Sequence, residues 1–504
     1  MTTKAYSSIH NWQMAVVALS LAVLFGLVAS FGSPLLALFL VALAMAVVLA
    51  ASPLALLWLV VVGGLILAGV AELYLPAIRQ ARWGVVIASI GLGIISLLTW
   101  AWRQKAGHLA KPEPWSPIAV WAVVFFVIAL FSGFINHGIS LDTTAGFKNY
   151  FQVWSILLAF ALLPLRAVSV ERFMAFLVWL GLLQFPFILH QHFVLVPQRL
   201  AKGSVAAQDI LVGTFSGSMT GGGASAAMAV LLLIALVICI ARWRSGMMSL
   251  LALVSVTVIF LVPPTIGEDK IVLVLLPVGL ALVFEDKIRR SPMRAMALLT
   301  ACACLLLAMF AVFTILPHPS GSRSLTLDEY WQESWSYNLG DRGYGNDILN
   351  RTSVYPFWAK YQSSSGSIVN VLIGYGPGAT NASSLSAHSL SRDQFPGYGI
   401  GLTGISGLLW DVGVLGTVAA LDFFLSAFRL ARRLVRQATP YTLRWAHLKG
   451  AEAGVAMMGL SLLHNNMFLF EIGFQTIVML LVGYLTYVRR SYASPQVAAG
   501  TTPD

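Results

Sequence analysis

Apolar runs of about eighteen residues or more recur along most of the 504-residue chain, and they constrain its fold more than any other feature. Each is long enough to cross a hydrocarbon core of roughly 30 Å as an α-helix. Inside such a core every backbone N–H and C=O must find an internal partner, which only helices and closed barrels provide. Barrel strands would appear as alternating segments of about ten residues, a pattern this chain lacks. Hydrophobic residues make up 58% of the sequence and charged ones 10%, too apolar for a soluble domain of this length to hide. The expected class is an all-α polytopic membrane protein.

Spans are expected near 12–31, 33–51, 53–75, 84–102, 117–136, 149–165, 173–194, 224–241, 247–264, 270–284, 295–316, 402–428, 450–466 and 471–488, about fourteen (12–14) in all. The first run, from Trp12 to Phe31, lacks a small-residue cleavage site and is followed at once by a second span, so no cleavable signal peptide is expected. Cys239, Cys302 and Cys304 fall inside apolar runs and define neither a disulfide framework nor a thiolate metal site. A net charge of +11 would suit nucleic acid, but the basic residues sit in short loops between spans, where topology explains them.

Those loops set the orientation. With a cytoplasmic N-terminus, the basic blocks Lys287 to Arg294 and Arg429 to Lys449 both fall inside, together with Arg242, Arg244, Arg489 and Arg490. The positive-inside rule then puts both termini in the cytoplasm and the one long hydrophilic segment, 317–401, on the periplasmic side of a bacterial inner membrane. The division expected is helices one to eleven over 1–316, a large structured periplasmic loop over 317–401, helices twelve to fourteen over 402–490, and a short disordered tail over 491–504.

The loop is rich in aromatic residues, among them Tyr355, Trp358 and Tyr375, and such faces either stack on sugar rings or pack the loop onto the membrane surface. Asn346 or Asp347 is placed to cap a helix running through Tyr361, which would put Arg351, Tyr355 and Trp358 on one face, with Pro356 introducing a kink. An arginine beside two aromatic rings suits a bulky anion such as a sugar diphosphate, and equally a cation–π contact that fixes the loop. Gly374-Tyr375-Gly376-Pro377-Gly378 reads as a tight turn whose backbone approaches something closely. Glu268, Asp269 and Lys270 lie between two spans at the outer boundary, and Asp411 and Glu471 lie at or near membrane depth, where ionisable groups favour a functional reading. His388 is placed to act as a general base near neutral pH, with His464 a weaker candidate. No HExxH, Walker loop or carboxylate cage is present, so neither a metal nor a nucleotide cofactor is expected.

These residues resemble the O-antigen ligase and Wzy-type O-antigen polymerase superfamily over roughly 117–430. Gly213-Thr214-Phe215-Ser216-Gly217 with the small-residue run to Ala229 is similar to the family's entry to a span. Arg199 and Lys202 stand upstream, where members carry a basic residue towards the lipid diphosphate. Lys270 stands where the ligases usually have arginine, and Arg351 with Trp358 is similar to the pattern opening the periplasmic loop. Leu409 to Gly416 resembles the closing acidic-x-Gly-x-x-Gly helix. Where ligases carry a His-Asn pair this chain has Leu402 and Thr403, which tilts the resemblance towards a polymerase.

The resemblance implies a GT-C-like glycosyltransferase architecture and a donor glycan on polyprenyl diphosphate. Its leaving group would be neutralised by Arg351, Arg342, Arg199 and Lys270, without a metal. His388, or else Glu268 or Asp269, would take the acceptor proton, while Tyr355, Trp358 and Tyr375 hold the sugars. Implied partners are the lipid-linked glycan, membrane lipids and other polysaccharide assembly proteins such as a chain-length regulator or a flippase. The rivals are an O-antigen ligase and a transporter or flippase of lipid-linked sugars.

Overall fold

The computed structural model describes residues 52–75, 81–105, 116–138, 140–203, 207–315, 327–338, 349–364, 366–381 and 389–493. Among them all regular structure is helical. The main helices are α1 (Pro53–Tyr74), α2 (Ala81–Lys105), α3 (Pro117–His137), α4 (Leu141–Tyr150), α5 (Ser155–Leu162), α6 (Ala167–Ala201), α7 (Ser225–Arg244), α8 (Leu250–Ile266) and α9 (Val272–Val283). They continue with α10 (Pro292–Ile315), α11 (Val354–Ser364), α12 (Gly404–Asp411), α13 (Gly413–Gln437), α14 (Leu443–Ser461) and α15 (Ile472–Ala493). Eight of these, α1, α2, α3, α6, α7, α10, α13 and α15, are long and apolar enough to cross a membrane. The chain is a multi-pass α-helical membrane protein.

Sequence chemistry sets many boundaries. Ser52 and Ser116 cap α1 and α3, each followed by a proline at the first helical position, where the missing N–H has no partner to lose. Thr403 and Ser406 form a reciprocal capping box on α12. Central and peripheral helices then separate by burial. In α7 and α15, 89% of the apolar window is buried inside the protein, against 33% in α2 and α3. The hub is α7, packed on α6, α8, α9 and α14, while α13 joins α3 to α14 and α15 joins α5 to α14.

Several expected spans take a different form. The expected span at 149–165 is broken: α4 ends at Tyr150, four turn residues follow, and α5 covers only Ser155–Leu162. Gln152 holds that break by donating to the carbonyls of Asn149 and Phe470. The expected span at 402–428 is two helices, because Gly413 takes φ +67 and interrupts the run between α12 and α13. The span expected at 173–194 lengthens to α6 through a π turn at Gln191–Leu195. Ser491 to Ala493, expected in the tail, continue α15. The two expected spans before residue 52 and the rest of the tail lie outside the described residues.

The polar residues divide between the two ends of the bundle. One end gathers Arg242, Arg244, Arg432, Arg444 and Lys449 with Glu171, Glu285, Asp286 and Glu452. The opposite end holds Arg199, Arg351, Asp269, Glu471, the glycine turn and the described part of the long loop.

Candidate functional site

The most unusual element at the second end is a buried segment without helix, 211–215, lying between α6 and α7. Irregular backbone at such depth is tolerated only where the protein satisfies its polar groups. Two glutamines seven residues apart on α6 do this. Gln191 accepts from the N–H groups of Val212 and Gly213, both at 2.9 Å, and donates to the Gly213 carbonyl at 2.6 Å. Gln184 accepts from Thr214 N at 2.8 Å and donates to its hydroxyl at 3.0 Å. The Thr214 hydroxyl donates in turn to Leu65 O, inside the π turn of α1. Gly213 has φ +63, and a Cβ at Gly69 would lie 2.2 Å from Thr214 O, so both glycines are required by this close fit.

Around this segment the chain assembles its charges. Arg199, only 2% exposed near the end of α6, donates to Ser218 O at 3.4 Å and faces Asp209. Asp209 in turn faces Asp269, which is 6% exposed in the turn between α8 and α9 and is hydrogen-bonded by Ser225 at the start of α7. Burial and the neighbouring Asp209 raise the Asp269 carboxyl to about 8, against the pull of Ser225. Its Oδ2 has no hydrogen-bond partner. The residue before it, Glu268, holds φ +53, a conformation that side chains other than glycine rarely adopt. On the other side of the segment, Ser216 donates to Glu471 at 3.1 Å, and Glu471 neighbours the Glu72–Arg82 ion pair. Lys148 sits 4.7 Å above the Trp83 ring beside this pair.

A second group surrounds the turn between α14 and α15. Arg351 Nε donates to His464 O at 2.9 Å, and its Nη1 bonds the Asn338 side chain at the end of helix Leu327–Asn338. Tyr355 and Thr403 share a hydroxyl hydrogen bond of 3.0 Å. His464 lies outside both helices, and burial beside the Arg351 guanidinium lowers it to about 3, so it is neutral in the working range and carries no charge. Arg351 stands in a turn before α11 rather than on it, because Asn350 accepts from Thr352 N and Ser353 N and delays the helix to Val354. Pro356 thereby falls in the first turn, where no kink follows. Arg351 and Tyr355 reach the same turn region by different routes, not as one helix face.

The glycine turn has a structural role. Gly374, with φ +76, packs against the backbone of Asp411, where a Cβ would meet a carbon at 2.5 Å. The fully buried Asp411 side chain accepts from Tyr150 OH at 2.8 Å and from Gly378 N and Thr380 N at 2.9 Å. Asn136 and His137 on α3 bond the Gly374 and Tyr375 carbonyls at 3.0 Å. The Tyr375 ring lies 5.8 Å from Trp410, which also packs against Tyr361 and Phe395, so it belongs to a packed aromatic cluster. Trp358, half-buried on α11, keeps a buried indole N–H with no partner.

Arg199 and Asp269 are thus brought to one cluster, with Glu268 and Lys270 adjoining in sequence, and Arg351 and Tyr355 to another at the same end. His388 and Arg342 lie outside the described residues. Asp209, Glu72, Arg82 and Lys148 were not singled out by sequence; Asp209 carries a signal only in standing four residues before Gly213. Among the described residues, no three His, Cys, Asp or Glu side chains are grouped to hold a metal ion. Comparison with protein-family models and with curated proteins finds no match. Fold and site therefore define a class: a multi-pass α-helical membrane protein with a charged cluster around a buried non-helical segment at one end.

Proposed function

We propose that the chain is a polymerase of polyprenyl-diphosphate-linked oligosaccharide repeats, acting at the periplasmic face of a bacterial inner membrane. On this reading it has about fourteen spans in a GT-C-like arrangement, both termini are cytoplasmic, and the end bearing Arg199, Asp269 and Arg351 faces the periplasm. The observation that carries the reading is Asp269, a buried carboxyl raised to about 8 next to Asp209, which in turn faces the buried cation Arg199. A group so poised exchanges a proton near neutral pH, as a general base for an acceptor hydroxyl must. A fixed guanidinium stabilises the diphosphate charge that develops as the donor bond breaks.

The glycosyl C–O bond to diphosphate would break as the acceptor oxygen attacks the anomeric carbon. Asp269 takes the acceptor proton, and polyprenyl diphosphate leaves. Arg351 would serve by holding helix Leu327–Asn338 against the turn at His464, which shapes the loop over the donor.

The test is a chromosomal Asp269→Asn substitution with membrane level controlled, followed by sizing of cell-surface and secreted polysaccharide. Loss of long polymer with accumulation of single lipid-linked repeats is the expected result. Long polymer retained on its lipid carrier would identify the ligase alternative. Normal polymer from a normally expressed variant would remove Asp269 from the mechanism and with it the main support for the reading.

A further inference from the structure

The arginine-rich end carries charge that the proposed reaction does not use. On α13, Arg429, Arg432, Arg433 and Arg436 follow at i, i+3, i+4 and i+7, one face of the helix. Arg432 is engaged by Glu285, but Arg429, Arg433 and Arg436 are exposed and have no acidic partner among the described residues. Two concavities flank this face. A cavity of about 720 Å³ lies between α13, the segment 285–290 and the start of α14, with Trp445 and Lys449 in its lining. A smaller one of about 380 Å³ is lined by the four arginines and Gln437. Arg432 and Arg436 stand between the two.

The same face continues along α13 in apolar form. Leu415, Val418, Leu421 and Leu425 are between 39% and 46% exposed, and they fall on the stripe that leads to Arg429. One helix surface therefore presents an apolar track followed by unpaired guanidinium groups in a concave setting. A free anion would need only the second part. A two-chain anionic phospholipid matches both, its acyl chains along the leucines and its phosphate among the arginines.

We propose that this face of α13 is a binding site for an anionic phospholipid headgroup, with Arg429, Arg433 and Arg436 as its phosphate ligands. The proposal is independent of the polymerase reading and of which side of the membrane this end faces. Loose surface charge would give general attraction to anionic lipid. The arrangement on α13 gives a discrete site with a fixed stoichiometry.

The experiment is native mass spectrometry of the full chain in detergent, titrated separately with phosphatidylglycerol, phosphatidylcholine and inorganic pyrophosphate. Phosphatidylglycerol is expected to bind in preference to phosphatidylcholine, and the double variant Arg433→Gln/Arg436→Gln to weaken it by roughly thirtyfold, the worth of two arginines against an anionic headgroup. Arg432 is left in place because it holds Glu285. A charge-matched control, Arg166→Gln/Arg172→Gln, removes two exposed arginines from the start of α6 at the same end. That control should retain binding. Equal losses in both double variants, or equal affinity for the two lipids, would reduce the site to general electrostatics and overturn the proposal. Pyrophosphate binding as tightly as the lipid would overturn the lipid assignment.

Discussion

At the scale of the residue, two aspartates at the end of the bundle that holds the glycine turn show how surroundings divide labour between like groups. Asp411 is surrounded by donors, and removing it strands three of them in a fully buried setting. Asp411→Ala is expected to cost about 3–5 kcal/mol, read as a fall in thermal stability of the purified protein in detergent. Asp411→Asn should lose less, because its amide oxygen still accepts. Asp269 has the opposite environment, with a neighbouring carboxylate and an unpartnered oxygen. Its carboxyl ionises in the unfolded chain near the usual 3.8 but in the folded protein only near 8. The unfolded state thus binds fewer protons between these values, so stability falls as pH rises from 3.8 through about 8 and is flat above. Asp269→Asn should flatten that slope in denaturation measured across the range; an unchanged slope would assign it to another group. If the chain is the polymerase proposed above, with Asp269 its base, polymer formation in the wild type should climb with pH through about 8, where the carboxyl becomes ionised.

At the scale of the element, the segment 211–215 is the clearest case of a non-helical stretch built on purpose-placed side chains. Gln191 holds three backbone groups of Val212 and Gly213 at once. Gln191→Leu keeps the apolar bulk but leaves those groups unsatisfied, and a loss of about 2–4 kcal/mol is expected. Hydrogen exchange should rise at 211–215 while α7 and α15 stay protected. Exchange that rises uniformly would mean the segment is not separately anchored. Sequence reading anticipated part of this: Gly374 to Gly378 marked a tight turn that approaches something closely, and Gly374 does pack on the backbone of Asp411. What it missed were the partners, because Gln184, Gln191 and Asp411 stand 21 to 33 residues from the loop backbone they hold, and Asp411 stands 261 from Tyr150. The helix expected from Asn346 also began later, since the Asn350 side chain competes for the first backbone donors.

At the scale of the whole molecule, the two ends differ in the kind of charge they carry, and this makes orientation testable. Ser363 on α11 and Gln437 at the end of α13 are both exposed and lie at opposite ends. Single cysteines placed there should behave differently in intact cells. On the proposed orientation, Ser363→Cys is expected to react with an impermeant maleimide from the periplasm, and Gln437→Cys only after the cytoplasmic side is opened. The reverse pattern would refute the assigned orientation and the proposed site of action together.

The amino-acid sequence alone determined the class and most of the spanning helices, because burial in lipid demands long apolar runs and leaves little freedom in reading them. Only the tertiary structure decided which runs break, as at Phe151 to Trp154 and at Gly413, since those breaks depend on hydrogen bonds to distant helices. It alone decided that Tyr375 packs and that Asp269 holds its proton. A pKa or a ring contact follows from what surrounds a group in space, and the neighbours that matter here, Asp209 for one and Trp410 for the other, are far away along the chain.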